Sequence, residues 1–417
     1  MNILFVHQNF PGQFKHLAPA MARQGHRVVA LHINDCPPLP GVALVRYAVT
    51  ARPGQSTHRW LADLEVKTLR GEAACHAALK LREQGFVPDV IVAHPGWGES
   101  LFLHQVWPQA RLGIYCEFFY QAQGADVGFD PEFSQADADN ACRLQMKNAN
   151  YELHFPRAHA GLSPTHWQAS LFPEPFASRI TVIHDGIRTD LVKPDASARI
   201  RVQSPQGSLE LSRGDEVITF VNRNLEPYRG YHQFMRALPA ILKARPHARV
   251  VIIGGNEVSY GAAPPPCPDG QAQTWREIFL NEVKGELDLS RVHFVGKVPY
   301  ADFLRVLQVS TVHVYLTYPF VLSWSLLEAM SAGCAIVASD TAPLREAIRQ
   351  GETGQLVDFF DPAALARQVI ALCQDPAERA RLGAQARAFA VAHYDLETRC
   401  LPGQMAWVQG LGDNRGY

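Results

Sequence analysis

Arg223 and Arg229 frame the run Asn222-Arg223-Asn224-Leu225-Glu226-Pro227-Tyr228-Arg229-Gly230, directly after the apolar stretch Val217 to Asn222. Guanidinium groups donate paired hydrogen bonds to phosphate oxygens, and a departing diphosphate gathers negative charge. The pair therefore suits a diphosphate; the plain alternative is two surface arginines after a strand. A second stretch, Tyr318 to Ser339, reads YPFVLSWSLLEAMSAGCAIVAS. Pro319 breaks a strand, Ser323 is placed to cap a helix, and Leu326, Leu327 and Met330 share one face of it. Gly333 ends the helix, and Ala335 to Ala338 is a short buried-strand run. Free N–H groups from about Leu322 to Ser325, with the hydroxyls of Ser323 and Ser325, would meet a phosphate. Glu328 lies more than one turn further in, where it aims at a ribose or stands as a surface acid on a buried helix.

Polar groups also fall at the ends of apolar strands in the first half. His94 follows Asp89 to Ala93, and Glu117 follows Leu112 to Cys116. Glu117 can take a proton from an acceptor hydroxyl or bind a cationic acceptor. His94 either faces a ligand or caps loop backbone. Gly12, in the loop after Ile3 to Val6, is a turn glycine or a point where backbone approaches a donor phosphate or an acceptor. Asp137-Ala138-Asp139 has the DxD pattern of a metal site, but no apolar strand precedes it, so it reads as a solvated helix start.

These residues need a scaffold that brings strand ends together. The chain alternates strand and helix from its start, with strands at Ile3 to Val6 and Arg27 to His32 around a helix at Phe14 to Gln24. That is the opening of a doubly wound sheet, which binds ligands at the carboxyl ends of its strands. The alternation pauses at Asp195 to Gly214, rich in Ser, Gln, Arg, Gly and Pro, and then restarts, so that stretch reads as a linker. There is no GxGxxG, which argues against a nicotinamide or flavin enzyme. At 417 residues and 47% hydrophobic, the chain has material for two cores. A formal net charge of −1 provides no basic field for nucleic acid. Eight cysteines form no CxxC and no zinc spacing, the habit of reduced thiols. The start, MNILFVHQNFPG, reads as a first strand, not a signal peptide. No apolar run reaches the roughly 18–20 residues that span a bilayer. The expectation is a cytoplasmic protein, with peripheral contact at the inner membrane face left open.

Glu328 to Gly333 with Ile336 to Asp340, and Arg223 with Arg229-Gly230, resemble motifs of the GT-B glycosyltransferases of family 4. The second resembles that family's G-R-x5-K-G, with Asn222 in place of Gly and Arg229 in place of Lys. Gly351 to Val357 is similar to its G-x-x-G-x-L-V strand. The resemblance covers nearly the whole chain and is more specific in the second half. It implies an α/β GT-B architecture: two Rossmann-like doubly wound domains facing a central cleft. An acceptor-binding domain would span 1–197, with a tail from about 394 to 417 crossing back onto it. A donor-binding domain would span 210–393. It implies transfer of a sugar from a nucleoside-diphosphate sugar to an acceptor hydroxyl with retention at the anomeric carbon, in polysaccharide, glycolipid or other glycoconjugate synthesis. No cofactor and no obligatory metal are expected; the acceptor stays unknown.

By the same resemblance, Glu328 holds the ribose, Arg223 and Arg229 hold the diphosphate, and backbone around Gly296-Lys297-Val298 reads the base. The acid that pairs with Glu328 in the family falls at Phe320, and a His of the family falls at Glu117. Phe320 is accordingly read as a packing residue. Donor-sugar hydroxyls would then be held by backbone N–H groups of Val321, Leu322, Ser323 and Trp324 and by first-domain groups such as Glu117. The rival reading is a GT-B sugar-nucleotide-binding protein or epimerase without transferase activity.

Overall fold

The computed structural model describes residues 1–134, 137–204 and 207–413. The chain divides into two compact units: Met1–Val127 with Ala136–Gly186 and Glu397–Tyr417, and Gly128–Gln135 with Ile187–Leu396. The first unit thus gives way to the second after Gly186, earlier than 197, and resumes at Glu397. The short piece 128–135 belongs to the second unit although its flanks belong to the first.

Unit 1 carries strands β1 (Asn2–Val6), β2 (Arg27–His32), β3 (Val42–Arg46), β4 (Val90–Ala93), β5 (Arg111–Tyr115), β6 (Ala160–Ser163) and β7 (Ile180–Val182). All pair in parallel, in the order β3-β2-β1-β4-β5-β6-β7. The central strands are continuous apolar runs because helices cover both faces. Those helices are α1 (Leu17–Arg23), α2 (Ala62–Glu83), α3 (Leu103–Val106), α4 (Ala138–His154) and α5 (His166–Ser170). The C-terminal helix of the chain also packs here, its Trp407 ring lying where a Cβ on Gly113 of β5 would sit. The DxD is a helix start: Asp137 Oδ1 accepts from the Asn140 N–H at 2.7 Å, and Asp139 pairs with Arg59 on the surface.

Unit 2 opens with an antiparallel hairpin, β8 (Arg199–Ser204) and β9 (Gly207–Ser212). This corrects the reading of 195–214 as a linker. Ile200, Val202 and Leu211 alternate with polar residues and are buried, a period-2 pattern that the polar composition obscures. The main sheet follows: β10 (Val217–Asn224), β11 (Arg249–Gly255), β12 (Val292–Gly296), β13 (Val312–Tyr315), β14 (Ile336–Ser339) and β15 (Gln355–Val357). It is parallel, in the order β12-β11-β10-β13-β14-β15. Its helices are α6 (Tyr231–Ala244), α7 (Trp275–Val283), α8 (Tyr300–Val309), α9 (Trp324–Ser331), α10 (Pro362–Gln374) and α11 (Pro376–Tyr394). Helix α7 begins at a reciprocal cap between Thr274 and Glu277. The terminal helix of the chain, α12 (Leu401–Gly412), belongs to unit 1. Among the described residues, no helix is long and apolar enough to cross a membrane.

Candidate functional site

In unit 1 the strand order makes β1, β4 and β5 neighbours, so residues just past their carboxyl ends meet: His7, His94 and Glu117. Glu117 is held from two sides. Gln13 Nε2 donates to its Oε1 at 3.0 Å, and His94 Nε2 lies 3.4 Å from its Oε2. The Gln13 carbonyl oxygen accepts from His7 Nε2 at 2.7 Å, while His7 Nδ1 accepts from the Asn9 N–H at 2.9 Å. These two bonds place the proton of neutral His7 on Nε2. Burial, followed by the neighbouring His94, pushes the His7 pKa down to about 3, so the ring is uncharged at neutral pH.

His94 caps loop backbone, one of the two roles open to it in the sequence. Its Nδ1 accepts from the Gly96 N–H at 3.2 Å, and its ring stacks on Tyr115 and lies against Trp97. Gly12 has φ +44°, and a Cβ there would fall 2.3 Å from the His7 ring. Its glycine is required by the turn and by His7, the plainer of its two readings. His7 and Gln13 were missed by motif reasoning. Their position past a first buried strand is the signal that could have found them.

In unit 2, β10, β13 and β14 are adjacent, and the loops past their carboxyl ends converge. Arg223 is exposed, and its side chain forms no ion pair or hydrogen bond among the described residues. Arg229 is different: it is buried, 5% exposed. Its Nη1 donates to Thr317 Oγ1 at 2.8 Å and to the Val321 carbonyl at 3.2 Å. Its guanidinium lies over the Tyr260 and Phe320 rings, 5.2 and 5.9 Å from their centroids. Among the described residues it has no ion pair, so its charge sits in an aromatic box with neutral oxygens. Glu226, nearby, is occupied by the backbone N–H groups of Ser259 and Tyr260.

Ser323 is the N-cap of α9, its hydroxyl accepting from the Ser325 N–H at 3.3 Å. Its own N–H donates to the Tyr315 hydroxyl at 3.3 Å, and Tyr315 also receives Arg229 at 3.4 Å. Arg229 and the amino end of α9, with Val321, Leu322, Ser323, Trp324 and Ser325, are therefore parts of one connected site. Glu328, further along α9, is largely buried, and its Oε1 accepts from the Tyr300 hydroxyl at 2.6 Å. Phe320 is 6% exposed and packs edge-on against Tyr228 and Tyr260. Val298 follows the turn at Gly296, where Lys297 pairs with Glu257 at 2.8 Å, and its side chain packs on the sheet core. Sequence reasoning did not find Tyr260, Tyr300, Tyr315 or Thr317.

Among the described residues, Asp130, Glu132 and His232 are the one grouping with metal-ligand spacing. Their carboxylates are already engaged within the protein. Both Glu132 oxygens accept from Arg236 at 2.8 Å, and Asp130 accepts from the Tyr318 hydroxyl at 2.9 Å beside His232.

Comparison with known proteins bears on the family and the fold. The family described as "Glycosyl transferase family 4 group" matches residues 24–192, and "Glycosyl transferases group 1" matches residues 206–389. A D-inositol 3-phosphate glycosyltransferase of Streptomyces scabiei is 28% identical over 57% of this chain. The match covers 50% of that relative, so the chain spans about half its length. A glycogen synthase of Mycobacterium tuberculosis is 25% identical over 95% of this chain and 92% of its own. Among solved structures, a sucrose-phosphate synthase from Thermosynechococcus elongatus superposes with TM-score 0.73 at 16% identity, over 99% of this chain and 100% of that one. Anabaena HepE in complex with UDP-glucose superposes with TM-score 0.64, also at 16% identity, over 98% and 99% of the two chains.

Proposed function

The chain belongs to the family 4 glycosyltransferases of GT-B fold, and we propose that it transfers a sugar from a nucleoside-diphosphate sugar to an acceptor hydroxyl with retention. The observation that carries the donor half is Arg229, a buried guanidinium that forms no ion pair among the described residues and is bonded to the segment that leads into α9. A fixed cation beside the positive amino end of a helix is suited to a diphosphate, and most suited as that group gains charge on leaving, although the Ser323 and Ser325 N–H groups already have partners within the protein. Exposed Arg223 adds a second, adaptable cation. Glu328, oriented by Tyr300, takes the ribose hydroxyls, and backbone near Val298 reads the base. The UDP-glucose bound by HepE supports a nucleotide-sugar donor and makes UDP-glucose the first to test.

In the proposed reaction the bond from the anomeric carbon to the diphosphate oxygen breaks. A bond to the acceptor oxygen forms on the same face, and the acceptor proton passes to the departing diphosphate. Glu117, a carboxylate fixed in position, is suited to hold a sugar hydroxyl. No cofactor is required in this scheme. All eight cysteines are free thiols, which supports a reducing, cytoplasmic setting. The acceptor is a saccharide, lipid-linked sugar, protein or small molecule, and contact with the inner membrane face is compatible with the reading.

The test is calorimetric titration of UDP with Arg223→Ala and Arg229→Ala, with hydrolysis of UDP-glucose followed in parallel. Loss of a charge-assisted contact costs about 1.5–3 kcal/mol, so affinity should fall by roughly ten- to a hundredfold. Two folded variants that bind UDP, GDP and ADP like wild type would overturn the donor assignment.

A further inference from the structure

A cavity of unit 2, about 940 Å³, opens at the opposite end of its sheet from Arg229 and Thr317. Ser310, Thr311 and Ala335 line it, and these residues precede β13 and β14. The rest of its wall comes from the turn at Arg213, from Gly333 after α9, and from one side of α11. Three arginines, Arg213, Arg379 and Arg387, face it, and no acidic side chain lines it. Among the described residues none of the three forms an ion pair. Arg379 Nη1 donates to the carbonyls of Leu372 and Cys373 at 2.6 and 2.8 Å, and Arg387 Nη1 donates to the Val192 carbonyl at 3.1 Å. These bonds fix the two guanidinium groups without neutralising them. Arg213 makes no such bond and is exposed.

We propose that this cavity is a second ligand site, for a small organic phosphate. Three like charges around one cavity repel unless an anion joins them, and guanidinium groups match phosphate geometry. The Thr311 hydroxyl already donates to the Asp215 carbonyl at 3.0 Å and the Ser310 hydroxyl pairs with Thr219 Oγ1 at 2.7 Å, so the guanidinium groups are the donors offered to a ligand. Ala384, Ala388 and Val391 on α11 give an apolar wall, which a bare inorganic ion would leave unused. The volume suits a phosphorylated metabolite of sugar size. The site is distinct from the donor site, since the two lie past opposite ends of the same parallel strands. Helix α9 runs between them: its amino end carries Ser323 and Ser325, while the Ser331 carbonyl at its other end accepts from Arg387.

The experiment titrates the full chain with glucose 6-phosphate, fructose 6-phosphate, 3-phosphoglycerate and inorganic phosphate, and with phosphatidic acid vesicles. Arg213→Glu and Ala384→Trp, both at exposed positions, serve as variants, and UDP affinity is measured on each. At least one organic phosphate should bind wild type, and bind at least tenfold more weakly to both variants, with UDP affinity unchanged. Failure of UDP to bind bears on the donor site alone. No binding of the three organic phosphates, or equal binding by wild type and both variants, overturns the proposal. Inorganic phosphate binding as tightly as the best organic phosphate overturns the organic ligand. Vesicle binding lost in Arg213→Glu, with no binding of free phosphates, overturns a soluble metabolite in favour of a lipid headgroup.

Discussion

Gln13 joins Glu117 across more than a hundred residues of sequence, its amide N–H donating to the carboxylate at 3.0 Å while its carbonyl takes the proton of His7. One amide thus fixes a buried neutral imidazole and a half-exposed carboxylate. A carboxylate held in place loses less freedom when it meets a sugar hydroxyl than one that must be ordered first.

Removing that amide should cost turnover more than donor binding. Gln13→Leu leaves the His7 N–H unpaired and removes the amide bond to Glu117. A net loss of about 1–2 kcal/mol corresponds to a roughly five- to thirtyfold fall in kcat. UDP affinity should stay at the wild-type value, because Gln13 is in unit 1. Steady-state kinetics beside UDP titration reads both, and an unchanged kcat would refute the positioning role.

Tyr300 and Glu328 make a second such pair, joined at 2.6 Å. Glu328→Gln should weaken UDP more than 2′-deoxy-UDP, because the lost acceptor serves ribose hydroxyls. Tyr300→Phe should do the same to a smaller extent, roughly two- to fivefold, since the carboxylate persists but is less fixed. Equal losses for both nucleotides would remove Glu328 from the ribose.

Buried histidines make stability depend on pH. Burial holds His7, His184 and His313 at pKa values of about 3 and His154 at about 4, from an ordinary 6.5. Each binds a proton more readily in the unfolded chain. Their contribution is therefore fully present above pH 6.5 and is lost as pH falls toward 3–4. Denaturant midpoints should drop steadily from pH 7 to pH 4.5, by at most about 2–3 kcal/mol for each histidine over that range. His313→Asn should be less stable at pH 7 and show a shallower pH slope. A slope identical to that of wild type would show that His313 does not contribute.

Much of this molecule was legible in its sequence, for a physical reason. Parallel strands buried on both faces are written as unbroken apolar runs, so β1, β4, β5, β10, β11 and β13 stand out. Glycines with positive φ mark the ends of elements, as Gly333 does at +75°. The hairpin of β8 and β9 was obscured because half its residues face solvent. The burial of Arg229 was not legible either, since spacing fixes where a backbone places a side chain but not what closes over it. Tyr260 lies far from Arg229 in sequence, and only the fold brings its ring to the guanidinium.

Phe320 gives the sharpest test, because family 4 resemblance puts an acid at its position. Its ring packs against Tyr228 and Tyr260 and lies 5.9 Å from the Arg229 guanidinium, so it closes one side of the box around that charge. An acid in its place would stand beside a buried cation. The resulting pair would neutralise the charge that the diphosphate is expected to meet. Phe320→Glu should therefore bind UDP at least tenfold more weakly than wild type and turn over UDP-glucose more slowly. Phe320→Leu keeps an apolar group there, and should retain UDP binding within about threefold while losing roughly 1–2 kcal/mol of stability. The opposite pattern is clear-cut. Wild type inactive across a broad donor and acceptor panel, with hydrolysis appearing in Phe320→Glu, would make Phe320 the mark of a binding protein derived from an enzyme.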